Sequence, residues 1–280
     1  MRIAIASGKG GTGKTTIAVN LALSIEGAQL VDCDVEEPDC HLFLGSDMQP
    51  VRDVTVTMPV IDAATCSLCG ECAWFCAFHA LAVLPTQVVA FENLCHSCGG
   101  CSLVCPSAAI SERERVIGRI ERARGPQALI HGVLNVGEAT ATRVITALKA
   151  TVDATTPAAV TIFDAPPGTA CPMIETVRGC DYCILVTEPT PFGLHDLRIA
   201  VEVVRALGVP FGVAINRDGS GDDAVSEYCD REGIPVILRV PHDRRIAELY
   251  SIGQPFSLVL PGWQERFQDM LELIGQGAHA

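Results

Sequence analysis

The chain has 280 residues, 49% of them hydrophobic and 5% aromatic, and a formal net charge of −13. That is enough apolar material for one large α/β domain with an insertion, or for two domains. The acidic balance excludes a broad basic face for nucleic acid and a polybasic membrane patch, and no stretch approaches the roughly eighteen apolar residues of a spanning helix.

Residues 2–6 predict a short buried strand, too short for the apolar region of a secretory leader. Gly8-Lys9-Gly10-Gly11-Thr12-Gly13-Lys14-Thr15 follows, with Thr16 after it, and residues 15–25 carry helical apolar spacing. A glycine-rich loop between a strand and a helix turns its amides inward onto phosphate oxygens, and the helix dipole adds to their pull. Lys14 is then placed for the β- and γ-phosphates, and the Thr15 hydroxyl for Mg²⁺. Lys9 makes the loop read Lys-Gly-Gly-Thr-Gly-Lys-Thr, which resembles the deviant Walker A loop of the MinD, ParA and nitrogenase iron protein superfamily of ATPases. The resemblance implies ATP or ADP with Mg²⁺ as ligands, ATPase activity, and a homodimer or a heterodimer with a similar ATPase. In that dimer Lys9 reaches across to the partner's nucleotide.

Residues 30–34 predict a second strand ending in Asp32-Cys33-Asp34. By the same resemblance Asp34 orients the attacking water, and Asp32 supports the local structure or the metal's waters. From Pro59 to Ser111 the periodicity gives way to short runs around Gly and Cys.

Eight of the fourteen cysteines lie in that segment, in two runs: Cys66, Cys69, Cys72, Cys76, and Cys95, Cys98, Cys101, Cys105. Cysteines grouped in a chain without a secretory leader point to metal binding in a reducing cytoplasm and not to a disulfide scaffold. Each run reads C-x2-C-x2-C-x3-C, the spacing of bacterial two-cluster ferredoxins, while zinc remains the alternative for four thiolates. The resemblance implies two 4Fe–4S clusters, with the fourth cysteine of each run serving the other cluster. Cys66, Cys69, Cys72 and Cys105 would hold one, and Cys95, Cys98, Cys101 and Cys76 the other. The runs repeat at a 29-residue offset, which also pairs Gly70 with Gly99 and Leu81 with Ile110. A segment of about fifty residues buries little core, so the clusters are expected to staple it.

The α/β texture resumes after Ser111. Residues 159–163, 182–186 and 211–215 predict strands ending in polar residues, residues 194–207 a helix, and residues 263–274 an amphipathic terminal helix that packs on the domain. Alternating strands and helices predict a doubly wound, mostly parallel sheet with a small α+β insertion. Asp164-Ala165-Pro166-Pro167-Gly168 resembles the superfamily's Walker B and switch segment, with Asp164 toward Mg²⁺ and the Gly168 amide toward the γ-phosphate. Asn216, and Pro241-His242-Asp243, match its adenine-contacting segments. Cys171 falls at the offset of a cluster ligand in the nitrogenase iron protein, but residues 137–140 supply no matching cysteine. Cys180 and Cys183 are expected to be structural.

Over the whole chain the sequence resembles the MinD-like subfamily with an inserted ferredoxin domain. The expected organisation is an ATPase unit over 1–58 and 112–280, with the insertion at 59–111. The expected function is an ATPase whose dimer switching gates low-potential electron transfer to a redox partner. Two alternatives stay open: an ATP-dependent factor that loads clusters into an apoprotein client, and a positioning ATPase with structural or redox-sensing clusters.

Overall fold

The computed structural model of the chain describes residues 1–124, 128–154 and 158–277, so the expected ATPase unit over 112–280 ends beyond the described residues. The chain opens with β1 (Arg2–Ala6), α1 (Lys14–Leu23), β2 (Gln29–Asp32) and a short α2 (Cys40–Leu44). The long strand β3 (Asp47–Ile61) then leads to α3 (Glu71–Phe75), β4 (Leu81–Val83), β5 (Val88–Ala90) and α4 (Gly100–Leu103). An equally long β6 (Ile110–Arg124) returns to β7 (Ala128–Leu134), α5 (Ala141–Asp153), β8 (Thr161–Asp164) and α6 (Cys171–Val177). The rest comprises β9 (Tyr182–Thr187), α7 (Pro191–Leu207), β10 (Phe211–Asp218), α8 (Ala224–Glu232), β11 (Val236–Pro241), α9 (Arg244–Ser251) and α10 (Trp263–Gly277).

Nine strands form one sheet in the order β11-β10-β9-β1-β8-β2-β7-β6-β3. The seven strands from β11 to β7 pair in parallel, as both-face burial demands. β1 alternates with period two: Ala4 and Ala6 face one core with α5 to α8, while Ile3 and Ile5 face the other with α1 and α10. β6 and β3 extend the sheet as an antiparallel pair, a mixed edge absent from the expected topology. β6 carries charge on its exposed positions, so it reads neither as a buried parallel strand nor as a helix.

Helix α7 illustrates how local chemistry sets an element. Pro191 starts it, the Thr190 hydroxyl caps it by accepting from Gly193 N at 3.0 Å, and Gly208 ends it at φ 67°. Helix α6 ends on a cation. Buried Lys149 donates from Nζ to the carbonyls of Glu175 at 2.7 Å and Thr176 at 2.9 Å. Burial holds its ammonium below the usual lysine range. Lys149→Met is expected to leave those carbonyls without their donor and to cost about 2–4 kcal/mol in urea unfolding. A loss within error of zero would make the cap incidental.

The segment between β3 and β6 has a core of its own, and a slight one. Its buried members are Cys72, Leu81 and Ile110. The terminal helix α10 packs Trp263, Phe267, Met270 and Ile274 into the core on the α1 side, and among the described residues no helix is long and apolar enough to cross a membrane.

Candidate functional site

The carboxyl ends of the parallel strands gather at one edge, where sheets of this type hold ligands. A cavity of about 440 Å³ opens there. Gly10, Gly11, Gly13, Lys14, Thr15 and Thr16 line it from the loop between β1 and α1. Asp34 lines it from beyond β2, Asn216 from β10, and Pro241, His242 and Asp243 from the turn after β11. Gly13 is left-handed at φ 91°, and a Cβ there would stand 2.3 Å from Asn216 Nδ2. That amide donates to the Thr12 carbonyl at 2.8 Å, tying the loop to β10.

Other expected residues lie outside the lining. Gly8 packs so close to α7 that a Cβ would stand 2.2 Å from the Asp196 carbonyl oxygen. Thr12 is buried, and its hydroxyl has no partner among the described residues. Gly168, at φ 89°, follows Pro167, which does line the cavity. Lys9 points sideways within its own chain, its Nζ 3.5 Å from Glu188 Oε2. Glu188 is 8% exposed and also pairs with Arg217, so one carboxylate holds two cations. Sequence reasoning did not find that role. It also missed Glu37, Asp39 and Tyr250, which line the cavity from segments without a motif.

Beneath the loop, Asp32 folds the segment after β2 by accepting from the amides of Asp34 at 3.1 Å and of Asp39 and Cys40 at 3.0 Å. Asp164 is fully buried beside it, and the Cys40 thiol donates to Asp164 Oδ2 at 3.6 Å. Asp164 Oδ1 has no hydrogen-bond partner, and the Thr15 hydroxyl is close enough to draw that carboxyl down. An orphaned buried carboxylate oxygen next to a hydroxyl is a hard-oxygen donor set that fits Mg²⁺.

Burial pushes the Asp164 carboxyl up to about 7 against the pull of Lys14 and Thr15. It pushes Asp34 up to about 6, again against Lys14. A carboxyl whose folded pKa exceeds its unfolded value contributes stability while protonated, and loses it as pH climbs through the folded value. The nucleotide-free chain is therefore expected to melt at a lower temperature at about pH 8 than at about pH 5.5, with Mg-ADP narrowing the gap. A melting temperature that rises over that interval would contradict this assignment.

The two cysteine runs gather at a separate place. Cys76, Cys95, Cys98 and Cys101 line a hollow of about 150 Å³ with Phe75, Phe78 and His96. Cys66, Cys69, Cys72 and Cys105 line a smaller one with Pro106. The fourth cysteine of each run thus lies with the first three of the other. Backbone amides of Ala80, Ser97 and Ala109 donate to the sulfurs of Cys76, Cys95 and Cys105 at 3.3–3.4 Å.

The backbone there is unusual. Leu68 and Ser97, and His79 and Ala108, hold left-handed φ of 50–56° without being glycine, and both pairs are related by the 29-residue offset. Four thiolates around one zinc ion at about 2.3 Å would sit about 3.8 Å apart. Among the described residues only Asp32, Cys40 and Asp164 bring three such ligand atoms within 4.8 Å of one another, so neither cysteine quartet closes to a single-ion spacing. Cys171 is exposed and stands apart, while Cys180 and Cys183 are buried. Burial raises both thiols, Cys180 to about 11.

Known proteins share this architecture. The profile of the CobQ/CobB/MinD/ParA nucleotide binding domain matches residues 3–256. An uncharacterized protein of Methanocaldococcus jannaschii is 30% identical over 91% of each chain. An iron-sulfur cluster carrier protein of Pyrococcus horikoshii is 24% identical, with 92% of this chain and 79% of that protein covered. The structure of the septum site-determining protein MinD with Mg-ADP, also from Pyrococcus horikoshii, superposes with a TM-score of 0.59 at 17% identity, covering 99% of this chain and 96% of that one. With its phosphate loop at the sheet edge and the profile matched over most of its length, the chain belongs to the CobQ/CobB/MinD/ParA family of nucleotide-binding proteins.

Proposed function

We propose that the chain is an ATP-hydrolysing, dimer-forming switch that carries two 4Fe–4S clusters and gates low-potential electron transfer to a redox partner. The observation that carries this reading is the pair of cysteine quartets, each wrapped by left-handed backbone around a hollow and spread wider than a single ion requires. Non-glycine residues in that conformation cost of order 1–3 kcal/mol each, and such strain persists where a bound group over-determines it. The insertion over 59–111 would hold one cluster on Cys66, Cys69, Cys72 and Cys105, and the other on Cys95, Cys98, Cys101 and Cys76. Bound there, the clusters supply one-electron storage. Thiolates of this kind suit a reducing compartment such as the cytoplasm.

In the nucleotide cavity the lining supports these roles. The amides of Gly10, Gly11 and Gly13 and the Lys14 ammonium hold the phosphates, and Asn216, Pro241, His242 and Asp243 flank the base. Thr15 and Asp164 would hold Mg²⁺, which when bound would neutralise phosphate oxygens. Asp34 lines the same space and is largely ionised at neutral pH, so it can orient a water for attack on the γ-phosphorus, with ADP leaving. The Gly168 amide would serve the γ-phosphate, and Lys9 would leave Glu188 to reach the partner's nucleotide. Lys9→Ala is expected to slow hydrolysis on the order of a thousandfold, as loss of an arginine finger does. Its ADP affinity as a monomer should stay within about twofold, since Glu188 holds Lys9 aside. Normal turnover by the variant would remove the lysine from the mechanism.

The deciding experiment titrates the clusters anaerobically with ATP, with ADP and without nucleotide, and measures electron delivery to a reducible acceptor. Nucleotide-dependent potentials or rates support the gated carrier, and identical values in all three states reject it. A second reading, transfer of a cluster to an apoprotein client, is favoured by the similarity to an iron-sulfur cluster carrier protein and by the exposed thiols of Cys69 and Cys98. Retention of both clusters through many turnovers beside an apo-acceptor would count against it.

A further inference from the structure

The cysteine-bearing segment touches the nucleotide-binding core unequally at its two runs. Glu92, three residues before Cys95, pairs with Arg113 and with Arg115, the latter at 3.7 Å from Nε. Arg115 turns its other nitrogens to Glu138 in a two-pronged pair, Nη2 to Oε2 at 2.9 Å. Arg143, in the first turn of α5, donates to the His96 carbonyl at 3.5 Å. Among the described residues, no salt bridge joins residues 62–76, which hold the first run, to the core.

Glu138 leads in turn to the nucleotide site. It sits in the loop after β7, where its amide donates to the Asn135 carbonyl at 3.1 Å. Asn135 is fixed to β6 by its amide, which donates to Ile117 O at 2.9 Å, and by its side chain, which donates to Val116 O at 3.2 Å. Leu134 N, one residue earlier, donates to the carbonyl of Val35 at 2.7 Å. Val35 follows Asp34, so four short links run from the cavity wall to the second cysteine run. The Arg115–Glu138 link is the strong one. The two side chains are 17% and 11% exposed, and a bidentate pair shielded from water resists displacement more than the half-exposed Glu92 contact.

We propose that Arg115 is a positioning residue that passes the state of the Asp34–Val35 segment to the second quartet, Cys76, Cys95, Cys98 and Cys101, and leaves the first quartet unaffected. The inference rests on the reading of this segment as cluster-bearing and nucleotide-gated. It predicts which of the two sites responds.

Hydrogen–deuterium exchange on the anaerobic full-length holoprotein tests it, with and without a non-hydrolysable Mg-ATP analogue. The analogue is expected to slow exchange at residues 92–101 by about threefold or more and to leave residues 66–72 unchanged. Glu138→Gln and Arg115→Gln should each abolish that response while keeping ATP hydrolysis within about twofold, and Arg115→Lys should retain part of it. A midpoint potential that shifts for one cluster in the native chain, and for neither in the variants, is the matching electrochemical result. Retention of the response in both glutamine variants overturns the relay and leaves nucleotide gating intact. An equal response at both runs overturns the asymmetry alone. No response at either run overturns the relay together with the gated reading.

Discussion

Lys14→Ala is expected to abolish useful nucleotide binding while leaving the sheet folded. Lys14 begins α1, is 7% exposed and lines the cavity, so its ammonium is held where phosphates would lie. Truncating one member of a buried charge pair costs about 2–5 kcal/mol, which is roughly 30- to 4000-fold in affinity. The loss should fall toward the upper end for a second reason. Lys14 is the cation that draws down the carboxyls of Asp34, Asp39 and Asp164, each of which burial raises. Without it the cavity gains a cluster of acids facing an anionic ligand. Equilibrium binding of a fluorescent ADP with Mg²⁺ measures the effect, and a thermal melt establishes that the variant is folded. Lys14→Gln separates the two contributions, since it keeps the stem and a donor but not the charge. Binding within about tenfold of the native chain in both variants would mean that the loop amides alone hold the phosphates.

Much of this site is legible before any coordinates, because backbone chemistry dictates it. Glycines between an apolar strand and a helix have few other uses, and Asp34, Asp164 and Asn216, each at or near the carboxyl end of its strand, converge once the sheet is parallel. The meeting of Asp34 and Asn216 with His242 and Asp243 in one cavity needs only that topology. Glu188 is different. A glutamate after a buried strand carries no motif, and its hold on Lys9 and Arg217 exists only because β9 lies between β1, which leads into the phosphate loop, and β10, which carries Arg217. Glu138 and Arg115 are equally silent in sequence, being ordinary charged residues 23 positions apart until β6 and the loop after β7 are folded together. The antiparallel edge escaped for a related reason. In β6, Ile117 and Ile120 are buried while the outward positions are charged, which weakens the apolar run that marks a central strand.

That edge also explains how the insertion can belong mechanically to the core. β3 and β6 pair from Asp47 with Arg124 to Ile61 with Ile110, a ladder that begins in the main sheet and ends at the cysteine segment. A stiff two-stranded arm transmits rotation better than a flexible linker would. Its root near Val54 and Ile120 is buried in the core that also holds α5. The arm fixes the insertion to the sheet, and a shift of the segment after β2 reaches it through the Arg115–Glu138 pair.

Removing one ligand from the second quartet is expected to melt the insertion and spare the rest. In Cys98→Ala one cluster should be lost, seen as about half the iron and sulfide per chain. The small core beside it has three buried side chains, Cys72, Leu81 and Ile110, of which Leu81 also lines the hollow. Each fully buried large aliphatic contributes about 1.5–3 kcal/mol, while ordering a residue's backbone costs about 1–2 kcal/mol. A segment of this length cannot balance on so small a core, and its left-handed Leu68, His79, Ser97 and Ala108 add strain that the proposed ligation would offset. The nucleotide-binding unit has two large cores of its own on either face of the sheet, so its cooperativity does not depend on the insertion. Limited proteolysis should thus cut the variant within residues 62–109 while the flanking fragments stay associated and still bind ADP. Far-ultraviolet dichroism should fall only slightly. Protection of that segment equal to that of the native holoprotein, after one cluster is gone, would mean that protein packing and not metal ligation holds the insertion together.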